Sequence, residues 1–387
     1  MKHNPFHDPG LSPRHRSARF FKWYTTASIV LTLLFLFFFL FDMVRTAYPA
    51  LWQTYVKVDV TYTEKTARLT ATAIDKKYRG IVSRAWLRNI PKQLERNPEL
   101  MGSTVKQWVL ADDQVDQYMK GRYHTLKQKQ IAIVEELKVA GDAELKWNDV
   151  FFSRGDSKIP ENAGVLSAMV GSVFTLFVTM ALAFPLGVMT AVYLEEFAKD
   201  NALTRFIEVN INNLAAIPSI LFGLLGLAVF INLFGLPRGS PLVGGLTLAL
   251  MTLPIIIVSS RAALRSVPDS IRQAGYGLGL TRVQIVQGHV LPIASPGILT
   301  GSIIGLAQAM GETAPLIIIG MIAFIPDAPN TITDAATVLP AQIFTWAGMP
   351  ERAYVEKTAA GIVVILAILL SLNAAAIYLR KKYEIKW

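Results

Sequence analysis

The sequence predicts an all-α protein of six membrane-spanning helices, with a mixed or mainly helical soluble insert after the first span. Three observations carry this. Hydrophobic residues make up 52% of 387 positions and charged residues only 17%, too few for an ordinary soluble protein of this size. The apolar residues cluster into runs long enough to cross a hydrocarbon core of roughly 30 Å. Basic residues gather beside those runs, with Arg14, Arg16, Arg19 and Lys22 before the first and Arg380, Lys381, Lys382 and Lys386 after the last. This placement also explains the net charge of +10. Basic flanks of apolar runs set membrane orientation, so the expected partner is lipid and not nucleic acid.

Residues 1–22 read as a basic cytoplasmic tail and 23–43 as the first span. The span follows an aromatic lead-in, Phe20–Thr26, and no small-residue cleavage site precedes Tyr48-Pro49-Ala50, so it reads as an uncleaved anchor. Residues 44–162 contain no spanning run and read as a periplasmic domain. Val56, Val58, Val60 and Tyr62 alternate there, which predicts a short strand. Asp113–Gly141 reads as one amphipathic helix with Val115, Met119, Tyr123, Leu126, Val134 and Leu137 near one face. Asp112 or Asp113 can cap it and Gly141 can end it. His124 stands alone among lysines, so the insert is expected to pack or dock and not to catalyse. With no cysteine in the chain, a disulfide, a thiolate zinc site and an iron–sulfur cluster are excluded.

Residues 163–380 resume the apolar pattern in five runs, 165–193, 211–234, 244–260, 294–324 and 359–379, before a short cytoplasmic tail at 381–387. An even number of spans places both termini inside. The 261–293 loop then also falls inside, and it carries Arg261, Arg265, Arg272 and Arg282 against Asp269. The 236–243 loop, with only Arg238, falls outside. The lysine-rich insert does not conflict, because long translocated domains escape the charge rule. Polar Asn210, Asn212, Asn213 and Ser219 suit interhelical hydrogen bonds or a gate, and Pro218 can kink its helix.

The loop between the fourth and fifth runs is the most patterned segment. Ser266-Val267-Pro268-Asp269 reads as a helix start, with Pro268 at the first helical position and Asp269 complementing the dipole. Gly275, Gly277 and Gly279 weaken that helix and allow a turn near Gly279. Thr281 can cap a second short helix with Val283, Val286 and Val290 on one side, ending at Leu291-Pro292. Two short helices set at an angle can lie in a groove on a partner and transmit its movement.

This pattern resembles the docking loop of ABC importer permeases, Glu-Ala-Ala, three residues, Gly, nine residues, Ile-x-Leu-Pro. Gln273, Ala274, Gly275 and Gly279 stand where that motif has Glu, Ala, Ala and Gly, and His289, Leu291 and Pro292 where it has Ile, Leu and Pro. Gln for Glu keeps the length and loses the charge. The segments 213–226, 311–316 and 338–344 resemble the phosphate-specific permeases of the PstA type, so the resemblance runs from about Gly164 onward. It implies the type I importer permease fold, a homologous second permease subunit, ATP-binding subunits and a periplasmic phosphate-binding protein. The dipeptide Gly-Lys is absent, so the chain has no P-loop; ATP-Mg is expected on partner ATPase subunits and no cofactor in this chain.

Glu312 is the only ionisable residue between Ala294 and Phe324. A carboxylate at that depth is costly unless it faces a partner or a water-lined path. It can accept a hydrogen bond from a protonated phosphate oxygen, or orient an arginine of a second subunit. Thr313 and Gln308 are its expected polar neighbours on a substrate pathway. The resemblance often places Arg where Gln308 stands, which leaves positive charge to the partner permease. The readings that remain beside a phosphate permease are a permease for sulfate or molybdate, a transmembrane sensor and an ion-coupled secondary transporter.

Overall fold

The computed structural model describes residues 11–322 and 324–383. The outer parts of both tails, 1–10 and 384–387, lie outside the described residues. Helix α1 runs Leu11–Ala47, beyond the expected 23–43 at both ends. Arginine and lysine are good helix formers, so 11–22 prolongs the helix instead of forming a separate tail. The apolar side chains of α1 are exposed almost throughout, as suits a helix whose solvent is lipid.

After a tight turn at Tyr48–Leu51, β1 (Trp52–Thr61) forms the centre of an antiparallel sheet in the order β2-β1-β3, with β2 at Thr104–Leu110 and β3 at Ala143–Trp147. The expected alternation is present: Val56, Val58, Val60 and Tyr62 are all buried in the core of the insert. Three short helices, α2 (Glu64–Arg68), α3 (Arg84–Arg88) and α4 (Ile90–Arg96), follow β1, and Ile90 and Leu94 join the same core.

The single helix expected over 113–141 is two, α5 (Asp113–Met119) and α6 (Gln128–Val139). Gly121 adopts φ +67°, Arg122 N donates to Gln117 O at 2.9 Å, and Gly121 N donates to Tyr118 O at 2.9 Å. That pair of bonds closes a helix with a left-handed glycine. The periodicity seemed continuous because Val115, Val134 and Leu137 enter one core from two helices. At the ends, Asp112 accepts from Gln114 N and Gly141, at φ +72°, follows the last turn.

Helix α7 (Asp149–Ser153) leads to the membrane part. This comprises α8 (Leu166–Val192), α9 (Ala202–Ala215), α10 (Ser219–Leu225), α11 (Pro241–Arg265), α12 (Asp269–Gly277), α13 (Arg282–Ile285), α14 (Leu291–Gly311), α15 (Ala314–Ile318), α16 (Leu339–Ala347) and α17 (Ala353–Tyr383). Among the described residues, five helices are long and apolar enough to cross a membrane, or six if one bent pair counts as a single span. That bent pair corrects the 211–234 run: 202–215 and 219–233 meet at 104°. Pro218 offers no N–H and forces its predecessor out of helical geometry. The 294–324 run is also interrupted, since α14 ends at Gly311 and only the short α15 follows.

Helices α8, α11 and α14 pack through small residues, the usual means of close approach where lipid removes the hydrophobic drive. A Cβ on Gly245 would stand 2.4 Å from Val178 Cβ, and one on Gly301 would stand 2.2 Å from Ser259 Cβ. The insert is clamped to the start of α17. Lys120 Nζ lies 2.8 Å from Glu356 Oε1 and 2.5 Å from Asp116 Oδ2, and Lys357 Nζ donates to Ala163 O at 2.6 Å.

Candidate functional site

The patterned loop lies at the end of the bundle opposite the insert, where α8 ends and α14 begins. Helix α12 starts after Pro268, which occupies the cap position and not the first turn. Gly279 makes the turn with φ +77°, and Thr281 caps α13 in a reciprocal box with Gln284. Buried Gly275 faces buried Ile285, and a Cβ there would stand 2.6 Å from Ile285 Cγ1. Glycine at this position therefore sets how closely the two arms approach.

The second arm does not stop at Leu291-Pro292. A π-type turn over Val286–Val290 carries α13 directly into α14, giving one helix from Arg282 to Gly311 of 30 residues. Pro292 lacks an N–H, and the widened turn before it accommodates the missing bond. At 1.5 Å per residue this helix is about 45 Å long.

Gln273, Ala274, Gly279, His289 and Pro292 are exposed, Leu291 is half-buried and Gly275 is covered. Of the valines expected on one side, Val286 and Val290 are buried and Val283 is exposed. Tyr276 and Leu278 are the apolar residues that project furthest, Leu278 at 80% exposure. Set singly between glycines, they carry no periodicity that marks them in the sequence. An exposed apolar tip rimmed by polar groups is the usual mark of a protein contact.

An ionic network fixes the base of the loop. Arg272 Nη2 donates to Glu196 Oε1 at 2.6 Å and also to Leu264 O. Arg265 Nε donates to Glu195 Oε1 at 2.8 Å, while Arg261 reaches Glu195 and, at 2.6 Å, Glu208 on α9. The hydrogen bond to Glu196 holds the Arg272 guanidinium above its usual range. In the sequence these arginines served only to orient the chain. The signal for more was the adjacent pair Glu195-Glu196 at the end of an apolar run.

At the far end of the 30-residue helix, Glu312 sits in extended backbone with ψ 131°, and Thr313 precedes α15. Gln308 is exposed, Glu312 and Thr313 are half-buried, and none of the three has a side-chain hydrogen bond among the described residues. The structure places them consecutively along one break without joining their side chains. Helix α10 crosses this break closely, since a Cβ on Gly223 would stand 2.7 Å from Pro315 Cα. Asn212 and Asn213 are exposed and Asn210 bonds only to Phe206 O of its own helix, so the expected interhelical bonds are not formed.

Two family descriptions match the chain. A domain of unknown function (DUF3333) matches residues 8–76 and 65–128, covering α1 and most of the insert. The binding-protein-dependent transport system inner membrane component matches residues 183–385, just over half of the chain. The probable ABC transporter permease protein YqgI of Bacillus subtilis is 36% identical over 168 residues, spanning 43% of this chain and 56% of that protein. The phosphate transport system permease protein PstA 1 of Mycobacterium tuberculosis is 31% identical over 224 residues, 57% of this chain and 73% of that one. An inward-facing MetNI methionine ABC transporter aligns with 57% of this chain and 95% of its own at 19% identity and a TM-score of 0.45. On the extent of the family match, the chain belongs to the binding-protein-dependent transport system inner membrane component family.

Proposed function

We propose that the chain is one permease subunit of an ATP-driven phosphate importer in a bacterial inner membrane. In this reading the 266–292 loop and both termini face the cytoplasm, and the insert faces outward. A separate ATPase subunit docks on the exposed face carrying Gln273, Ala274, Tyr276, Leu278 and His289. A homologous permease forms the other half of the pathway, and an external phosphate-binding protein delivers the substrate. The names of the mycobacterial and Yersinia pestis relatives, both phosphate transport permeases, support the substrate.

The observation that carries the mechanism is the unbroken helix from Arg282 to Gly311. One end carries the docking surface and the other ends at Glu312, so a movement imposed at the loop is carried to the break along one helix, through the widened turn at Val286–Val290 and past Pro296. Arg272 and Arg265 tie the same loop to the end of α8, which makes α8 follow. Glu312 then accepts a hydrogen bond from the protonated form of phosphate, or orients an arginine of the second permease.

The test is phosphate-stimulated ATP hydrolysis and phosphate uptake by the assembled complex in liposomes. Glu312→Gln is expected to lower uptake at least tenfold with assembly intact. Undiminished uptake by that variant would remove the carboxylate from the pathway, and uptake without any ATPase subunit would sink the importer reading altogether. Preference for sulfate or molybdate in the same assay would replace the substrate.

A further inference from the structure

On the insert-bearing side, α4, the chain leading into α8 and the loop after α15 enclose a cleft of about 450 Å³. Its charge sets it apart. Lys92, Arg96 and Arg154 line it, and none of the three forms an ion pair among the described residues. Two acids share the lining, but only one is free. Asp156 is buried, and its Oδ1 accepts from Trp346 Nε1 at 2.8 Å and from Ser157 N at 2.8 Å. Exposed Asp327 is therefore left facing three cations.

The walls are fixed and the other lining groups are suited to an anion. Ile90 and Leu94 anchor α4 in the insert core, which holds Lys92 and Arg96 at the rim. Asp156 N donates to Ile325 O at 2.9 Å, and Gly155 lies so close that a Cβ would stand 2.3 Å from Pro326 O. Asn162 Oδ1 accepts from Arg154 Nη1, orienting the guanidinium without neutralising it. Asn89 and Gln93 add neutral donors. Like charges held around an enclosed space repel one another until an anion enters.

We propose that this cleft binds an anionic phosphoryl group, presented as inorganic phosphate, a small phosphate monoester or the headgroup of an anionic phospholipid. Two guanidinium forks and an ammonium match a tetrahedral oxyanion better than they match a single carboxylate. The volume leaves room for a small organic group beside Trp86 and Leu166. The site shares no residue with Gln308, Glu312 or Thr313 and does not rest on the transport reading.

The experiment is calorimetric titration of the full chain in phosphatidylcholine nanodiscs with inorganic phosphate and with glycerol 3-phosphate. The wild type is expected to bind at least one of them saturably. The double variant Lys92→Gln, Arg96→Gln, altering two exposed side chains, is expected to bind at least tenfold more weakly with an unchanged anion-free melting temperature. Nanodiscs containing phosphatidylglycerol separate the sources: binding suppressed there assigns the occupant to the headgroup, and binding unchanged assigns it to the soluble anion. Should phosphatidylglycerol and both soluble anions all fail to engage the cleft, or should the double variant match the wild type, the proposal is overturned.

Discussion

Arg272 and Glu196 are 76 residues apart in sequence and 2.6 Å apart in space, and their contact joins the loop helix α12 to the end of α8. The pair is largely covered, with side-chain exposures of 18% and 5%. Removing one partner from a pair of this burial leaves a charge in poor surroundings, a loss of about 2 kcal/mol.

Arg272→Gln and Glu196→Gln are each expected to lower the melting temperature. In the assembled complex they should reduce the phosphate moved per ATP hydrolysed severalfold. The exchange Arg272→Glu with Glu196→Arg should restore part of that ratio. Equal ratios in the wild type and all variants would mean that the contact holds the fold and plays no part in coupling.

Gly275 and Ile285 set the angle between the two arms. Gly275→Ala introduces a Cβ 2.6 Å from Ile285 Cγ1, so the arms must part slightly. Docking of the ATPase should weaken, and Ile285→Ala should recover some of it by removing Cγ1 and Cδ1, the atoms nearest the added Cβ. A double-mutant cycle on complex affinity should give a coupling energy above about 0.5 kcal/mol. Additive effects would show that the two residues do not determine the docking geometry.

The clamp at the start of α17 should be unequal in its parts. Lys120→Met removes the cation shared by Glu356 and Asp116, leaving Glu356 with Arg122 and Gln117 and Asp116 with Thr54, at a loss of about 3 kcal/mol, whereas Glu356→Gln retains a hydrogen-bonding group beside Lys120. Thermal unfolding in detergent should therefore rank Lys120→Met as the more damaging change, with faster proteolysis at the junction of insert and bundle. The reverse order would show that the lysine is dispensable there.

Burial pushes the Asp156 carboxyl up from 3.8 to about 6. Between about pH 4 and 6 the native state then holds a proton that the unfolded chain has released. Stability accordingly falls as pH rises through that window and levels off above it, by about 3 kcal/mol for this group. Burial, with help from neighbouring acids, also raises Asp112 to about 7 and raises Glu161, which extends the slope in the same direction. Melting temperature recorded from pH 4.5 to 7.5 in phosphate-free buffer should decline, and Asp156→Asn should flatten the lower part of the curve. A slope unchanged by Asp156→Asn would assign it to other groups.

The helical multi-span class was legible because it rests on composition and run length, which burial in lipid imposes on every residue of a span. A strand over 56–62 was legible from alternation alone, although it starts earlier, at Trp52, and ends at Thr61. The kink at Pro218 was expected, though its size of 104° was not. Two features were hidden because an apolar run does not record where its backbone bends: the break at Glu312 and the continuity through Leu291-Pro292 depend on which carbonyls find partners. The Gly121 turn was hidden differently, because two helices feeding one core imitate a single periodic helix. Charge pairs distant in sequence, such as Arg272–Glu196 and Lys120–Glu356, leave only their unpaired halves in a linear reading.

Helix α1 packs chiefly against α17, and the turn after it also rests there. An early segment of the polypeptide thus has its main protein neighbour more than 300 residues downstream. During synthesis α1 must wait in the bilayer, solvated by acyl chains, until the final helix is inserted. The α1–α17 contact therefore forms only after α17 is inserted, late relative to every contact that α1 could make with the helices between.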